Sequence, residues 1–472
     1  MSRFDAPGPT RRSFLAGLGL AGVGAVAGCT GAPANRTVGG TYRVGVGSDA
    51  TTLNFLSVSN DPAWNRVHRV LDGPYAITPD LEVFPLWCDI ATDDNRVYEV
   101  TLRENLEWSD PYGSMTAEDW VYMIHNVFQA PDNWAGYPSQ GDWKMNGEFL
   151  AVEKTGTHSF EIRLPQVDPA FPLRPALWGE FCMPKGLLER YVPEKDATGL
   201  ERDEEVQTLA YAGNLGPYEF DSWQRDTAFV ATRNEDYYMH DASDVPGEWG
   251  NAPYFDRFVY RVVPDVSTRL LALQRGELTQ TDLPESEAQS FEANGSVRVV
   301  SAPQPYLTVL NYNMRANGWR PFRRVAVRRA LAWAVNKRAI VEDIMRGYAD
   351  VAYTFQPEWS KWFDDSEVVK LGADATYDPQ TAREKLAAAL EPTDYGYEGD
   401  RVVGPEGPVT LTLVYASTDP VATTRAEFVK QSYADVGLDV ALEGAPLDTI
   451  FAQYAANAVP DGDPSYNAGS RD

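Results

Sequence analysis

The sequence predicts an α/β protein built as two lobes with a hinge between them, and three observations predict it. The chain has 472 residues, beyond the length at which a single hydrophobic core keeps growing, so it must divide. Its first half alternates apolar and polar residues at period two, the pattern of half-buried strands. Its second half mixes helical periods with strand periods, as crossover units do.

The chain opens with Arg11-Arg12-Ser13-Phe14-Leu15 ahead of a weakly apolar, Gly-rich run that ends at Val26-Ala27-Gly28-Cys29. A pair of arginines before such a run is the pattern of a twin-arginine export signal. An apolar residue and two small ones before a cysteine suit a lipoprotein peptidase, so Cys29 is expected to carry lipid and to begin the mature chain. The alternative is a single membrane anchor. The run from Phe14 to Ala27 is short for that, because a span needs about 20 predominantly apolar residues. Gly17-x-Gly19-x-x-Gly22 matches the dinucleotide fingerprint in form only, since it follows no strand. Thr30 to Val38 is small and polar and reads as a tether.

Past the tether, Gly39 to Val46 alternates as a strand and Asp49 to Asn54 follows as a turn. Val97 to Arg103 is a second alternating strand, and Leu106 to Asp110 leads into a Pro-Tyr-Gly turn. Thr116 can cap a helix, with Asp119 three residues on, and Trp120, Met123, Ile124 and Val127 then share one apolar face. The loop from Pro131 to Gly147 is long enough to suggest a functional or a rim segment. Strands follow at Ser159 to Leu164, at Gly216 to Ala231 and at Arg257 to Val263. Helices are then expected at Val266 to Gly276, Phe322 to Arg346, Pro379 to Leu390 and Thr423 to Asp435, with a strand at Val409 to Val414.

Composition excludes some functions. A net charge of -27, from 68 Asp and Glu against 41 Lys and Arg, argues against nucleic acid as a partner. Arg far outnumbers Lys. An acidic, Lys-poor surface suits a salt-loving organism such as a halophilic archaeon, because at about 1 M salt charges are screened within about 3 Å. An acidic protein of an ordinary habitat is the other reading. Beyond Cys29, Cys88 and Cys182 either pair as one disulfide or stay as buried thiols. His68, His125, His158 and His240 are scattered, and no metal site or cofactor is expected.

Several ordered blocks resemble the extracytoplasmic solute-binding proteins of the dipeptide, oligopeptide and nickel class, family 5. The blocks are Gly40 to Val44 with Thr52-Leu53-Asn54, Asp93 to Asp110 with Thr116 to Val121, and Gly216-Pro217-Tyr218 with Trp223 and Arg233 to Tyr238. The second half adds Asn311-Tyr312-Asn313, Pro321-Phe322, Val327 to Ala330, Ala334 to Lys337, Gly347-Tyr348-Ala349 and Tyr377-Asp378-Pro379. The resemblance implies a periplasmic-binding-protein-like fold of type II, in its large class with an extra β-rich subdomain. Residues 1–28 are then the signal and 29–38 the tether. Residues 39–264 form the first lobe, with the subdomain at about 69–184, and 265–472 form the second. Family members return to the first lobe after a strand such as Val436 to Val440. This chain stops at Asp472, so a truncated product without that segment is expected.

The resemblance further implies a monomer held at the outer face of the cytoplasmic membrane by its lipid. It would deliver a peptide to the permease and ATPase of an ABC importer, without chemistry of its own. Ligand-binding candidates are Asn54 after the first strand, Asn311 and Asn313 beside the second-lobe strand, and Trp223 and Tyr306 as aromatic walls. Nickel complexes and sugars remain open as ligands. Two other readings stay open: a lipid-anchored hydrolase, for which no G-x-S-x-G or P-loop is present, and a ligand sensor on the same fold.

Overall fold

The computed structural model describes residues 39–450, apart from 58–60, 78–81, 241, 243–251, 294, 303–305, 316, 357, 359–362 and 418. Arg11, Arg12, Cys29 and the tail from 451 lie outside the described residues. None of the described helices is long and apolar enough to cross a membrane.

The alternation at the start of the folded body gives β1 (Thr41–Val46). It is followed by helix α1 (Asp61–Val70), which buries Ala63, Arg66, Val67 and Val70 at spacings of three and four. Next comes an antiparallel sheet of β2 (Cys88–Ala91), β3 (Val97–Leu102), β4 (Ala151–Lys154) and β5 (Ser159–Arg163), in spatial order β2-β3-β5-β4. Tyr98, Val100 and Leu102 point inward from β3 on alternate residues, as the pattern requires.

Between β3 and β4 lies α2 (Ala117–Met123), capped as its sequence predicts. The Thr116 hydroxyl accepts from the Glu118 amide at 3.2 Å, and Asp119 Oδ2 accepts from the Thr116 amide at 2.8 Å. Trp120 packs between Trp87 and Phe160. The long loop from Pro131 to Gly147 is pinned to this core: Tyr137 and Trp143 are buried against Phe128, at ring separations of 4.6 and 5.4 Å. Its aromatic residues fill the interior, which explains a loop of that length. Cys88 and Cys182 are both free thiols, buried in the same core.

The chain then forms β6 (Tyr218–Gln224), β7 (Ala228–Arg233), β8 (Arg257–Val262), helix α3 (Val266–Gln274) and the short β9 (Gln280–Thr281). With β1 they make a five-stranded sheet of order β6-β7-β8-β1-β9, in which β1 is parallel to both β8 and β9. α1 packs on β6 and β7. The first sheet therefore extends past the boundary expected at residue 264. Gly276, at φ +73, turns the chain back after α3 and lays β9 beside β1.

A second hydrophobic core begins with residues around Phe322 and shares no residue with the first. Its helices are α4 (Val325–Ala334), α5 (Pro379–Leu390) and α6 (Pro420–Ala434). α6 crosses between parallel strands β10 (Thr410–Ala416) and β11 (Asp439–Ala445), so this part is a crossover unit as expected. The long helix expected from Phe322 to Arg346 is not continuous. It starts as a 3-10 turn over Arg320–Arg323 and runs as α4 only to Ala334. At Val335 the backbone is extended, with φ -101 and ψ 119.

Two bonds favour that break. The Asn336 side chain accepts from the Ala339 amide at 3.0 Å, capping a new turn, and the Lys337 amide donates to the Gly372 carbonyl at 2.7 Å. Only glycine suits position 372: φ is +83, and a Cβ there would sit 2.7 Å from the Ala332 carbonyl.

Candidate functional site

Ligands of open α/β sheets gather at the carboxyl ends of strands. In the first sheet, the carboxyl end of β1 leads into Asp49 to Asn54, and a polar network fixes this loop. Asp49 is its centre. Oδ1 accepts from the Ala50 amide at 2.8 Å and from Arg66 Nη2 at 2.7 Å. Oδ2 accepts from Trp223 Nε1 at 2.9 Å and from the Asp226 amide at 2.8 Å.

The Asp49 and Arg66 side chains are 5% and 0% exposed. Burial pulls the Arg66 pKa down while the Asp49 charge pushes it back up. Loss of one partner from such a pair leaves a buried charge unanswered, at about 3–5 kcal/mol. The pair ties α1 to the turn between β6 and β7.

Arg225 extends the network. Its guanidinium lies 3.4 Å from the Trp223 ring centroid, and Nη1 donates to the Thr51 carbonyl at 2.7 Å. Gln207 Nε2 donates to Thr52 Oγ1 at 2.7 Å and to the Glu201 carbonyl at 2.8 Å. The Glu201 carboxylate accepts from Asn54 Nδ2 at 2.8 Å and from Ser57 Oγ at 2.7 Å. The loop is thus preorganised before any ligand arrives.

The predicted site residues fall into two groups. Asn54 is buried and its amide is engaged at both ends, since Oδ1 also accepts from the Leu56 amide at 3.2 Å. Trp223 gives its N–H to Asp49 and one ring face to Arg225. These two residues shape the loop and belong to one network. Tyr306, Asn311 and Asn313 lie on the stretch entering the second core. Tyr306 is 74% exposed. Asn311 is exposed and makes no hydrogen bond among the described residues. Asn313 turns its own loop, with Oδ1 accepting from the Arg315 amide at 3.0 Å.

Sequence reasoning missed Asp49, Arg66, Gln207 and Arg225. Their partners are up to 177 residues away, and no local spacing signals such a contact.

Two further features border this region. Trp64, His68 and Phe181 form an aromatic group, with His68 to Phe181 at 4.7 Å and Trp64 to Phe181 at 5.5 Å. Crowding by protein, helped by the Arg69 charge, pushes the His68 imidazole down to about 4, so it is neutral at ordinary pH. A cavity of about 820 Å³ also opens within the first lobe, lined by Asn105, Glu107, Trp108, Glu219, Asp236 and Tyr238 among others. Behind it Asp72 accepts from the Tyr237 and Tyr238 hydroxyls at 2.6 and 3.0 Å. Burial raises the Asp72 carboxyl to about 6 against those two bonds.

The chemistry on offer is hydrogen bonding, stacking and charge. Among the described residues no group of three or more His, Cys, Asp or Glu is placed to hold a metal ion.

The chain is similar in sequence and in fold to known proteins. The family model described as bacterial extracellular solute-binding proteins, family 5 Middle, matches residues 89–466. The Di/tripeptide-binding protein 1 of Pseudomonas aeruginosa (strain UCBPP-PA14) is 24% identical over 403 residues, which are 82% of this chain and 67% of that protein. Among solved structures, the ABC transporter substrate binding protein CtaP from Listeria monocytogenes superposes with a TM-score of 0.69 at 21% identity, covering 89% of this chain and 76% of the other. The oligopeptide-binding protein AppA from Bacillus subtilis, in complex with a nonapeptide, gives 0.67 at 20% identity, covering 92% and 79%. These likenesses establish the two-lobed fold.

Proposed function

Because the chain belongs to the extracellular solute-binding proteins of family 5, we propose that it captures di- or oligopeptides between its two lobes and hands them to an ABC permease. The coarser statement stands without the proposal: it is a substrate-binding component of the peptide and nickel importer class, and not an enzyme. The observation that carries the finer reading is the pairing of two separate cores with a preorganised loop at the carboxyl end of β1. Peptide is favoured because relatives that match most of the chain are named for di- and tripeptides.

Closure needs no covalent step. A ligand that touches both lobes makes all its contacts only when they meet, so it raises the closed population by its differential affinity for that state. The Asp49 to Asn54 loop is already fixed by its own bonds, so little freedom is lost on its side of the ligand. Tyr306 and Asn311 are free to turn toward cargo from the other side. Peptide backbone groups suit such donors and acceptors, and hydrated pockets tolerate varied side chains.

On this reading the protein crosses the cytoplasmic membrane by the twin-arginine route through the Arg11-Arg12 signal and is held at the outer face of that membrane by lipid on Cys29. It acts as a monomer with permease and ATPase subunits as partners. Residues 39–264 and 265–472 are proposed as its lobes, with β9 closing the first sheet from beyond that boundary.

Native mass spectrometry of gently purified full-length protein in high salt tests the ligand. A co-purified mass that fragments as a peptide is the expected result. A sugar or a metal chelate in its place rules out the peptide assignment.

A further inference from the structure

Arg269 of α3 is 7% exposed, yet no carboxylate of a described residue lies within ion-pair distance of it. Its bonds all go to the ends of the central strands. Nη1 donates to the Val263 carbonyl at 2.7 Å and to the Pro264 carbonyl at 3.3 Å, where the chain leaves β8. Nε donates to Thr281 Oγ1 at 3.1 Å on β9, and Thr281 Oγ1 in turn donates to the Gly45 carbonyl of β1 at 2.9 Å. One guanidinium therefore holds β8 directly and reaches β9 and β1 through a single hydroxyl.

The sequence makes room for it. A Cβ at Gly45 would lie 3.1 Å from Arg269 Cγ and 2.5 Å from Leu278 Cδ1, and one at Gly47 would lie 3.3 Å from Nη1. A charge withdrawn from water without a counter-ion is a poor source of stability. Its place is better explained by geometry: a planar fork can bind two carbonyls and a hydroxyl in fixed directions, and a lysine cannot.

β9 is where the chain finishes the first sheet before running on to the second core. We propose that Arg269 is a positioning residue of the hinge: it fixes the exit of β9 against β8 and β1, and so sets the pivot about which the second lobe closes. This rests on the closing-lobe reading above. Arg269 acts through the strands it holds, its bonds going to the Val263 and Pro264 carbonyls and to Thr281 Oγ1.

The test reads the distance between lobes in full-length, ligand-free protein carrying Cys29→Ser. Spin labels go on Glu104→Cys in the first lobe and Glu384→Cys in the second, with Glu104→Cys and Glu153→Cys as a pair within the first lobe. Arg269→Lys keeps the charge and loses the fork. Thr281→Val removes the shared hydroxyl and is the second variant should the first fold poorly.

With either substitution the distribution between lobes broadens at least about twofold while the pair within the lobe keeps its width. An unchanged distribution between lobes overturns the proposal. Equal broadening of both pairs also overturns it, because Arg269 would then only support the first lobe. Adding a dipeptide to the otherwise unsubstituted labelled protein separates the two claims. Failure of the distribution to narrow counts against peptide closure, while the ligand-free comparison still decides the role of Arg269.

Discussion

Glu180 is 4% exposed, and its carboxylate is served by one hydroxyl, that of Tyr137. Burial pushes its pKa up to about 8, the Tyr137 bond opposes this, and Asp142 adds a smaller rise. The folded form thus holds a proton that the unfolded chain releases near 4.5. Stability from this group is fullest below that value and declines as pH rises toward about 8. Glu180→Gln keeps a neutral side chain at all pH. Relative to the variant, the wild type should lose on the order of 3–5 kcal/mol of unfolding free energy between about pH 5 and pH 9. Urea titrations at both pH values check it, and parallel behaviour of the two proteins would count against a buried protonated carboxyl.

At this scale the sequence was readable only where partners are near in the chain. The Thr116 cap with Asp119 could be seen, because three residues separate them. The engagement of Asn54 by Glu201 could not, because 147 residues do. Asn54 and Trp223 suit ligand contact by type and place in the sequence, and the structure shows both already committed to neighbours.

Among the elements, the break after α4 depends on Asn336. Asn336→Ala removes the cap over Ala339 and should lower stability by about 1 kcal/mol, the usual worth of such a residue. Far-ultraviolet circular dichroism should show no gain in helix, because the Lys337 bond to Gly372 still holds the bend. A rise in helical signal would mean that Asn336 alone stops α4. The strands were the most legible elements, since β3 and β5 bury every second residue. The bend was hidden because its second cause is a contact with Gly372, far along the chain. The return of β9 to β1 was hidden too, as two residues of strand carry almost no periodic signal.

For the molecule as a whole, the division into two cores was evident from length and from the change of pattern in mid-chain. How far the first sheet reaches was not, since strand pairing is decided by tertiary contacts. The charge of -27 makes self-repulsion a whole-molecule property, and among the described residues few ion pairs are buried. Raising sodium chloride from about 0.1 to 1 M should therefore raise the melting midpoint by several degrees, given that each kcal/mol moves a large domain by about 2–4 °C. Calorimetry over that range checks it, and a flat or falling midpoint would show that salt adaptation is not written in this surface.

The two internal thiols have a use of their own. Cys88 and Cys182 both sit in the first core, where burial drives their pKa values upward, so neither reacts while that core is shut. No cysteine occurs after residue 182 in the sequence. In protein carrying Cys29→Ser, an alkylating reagent therefore keeps time for the opening of one half alone, and the other can melt without leaving a mark. Comparing the alkylation clock with loss of helix signal would tell which half gives way first.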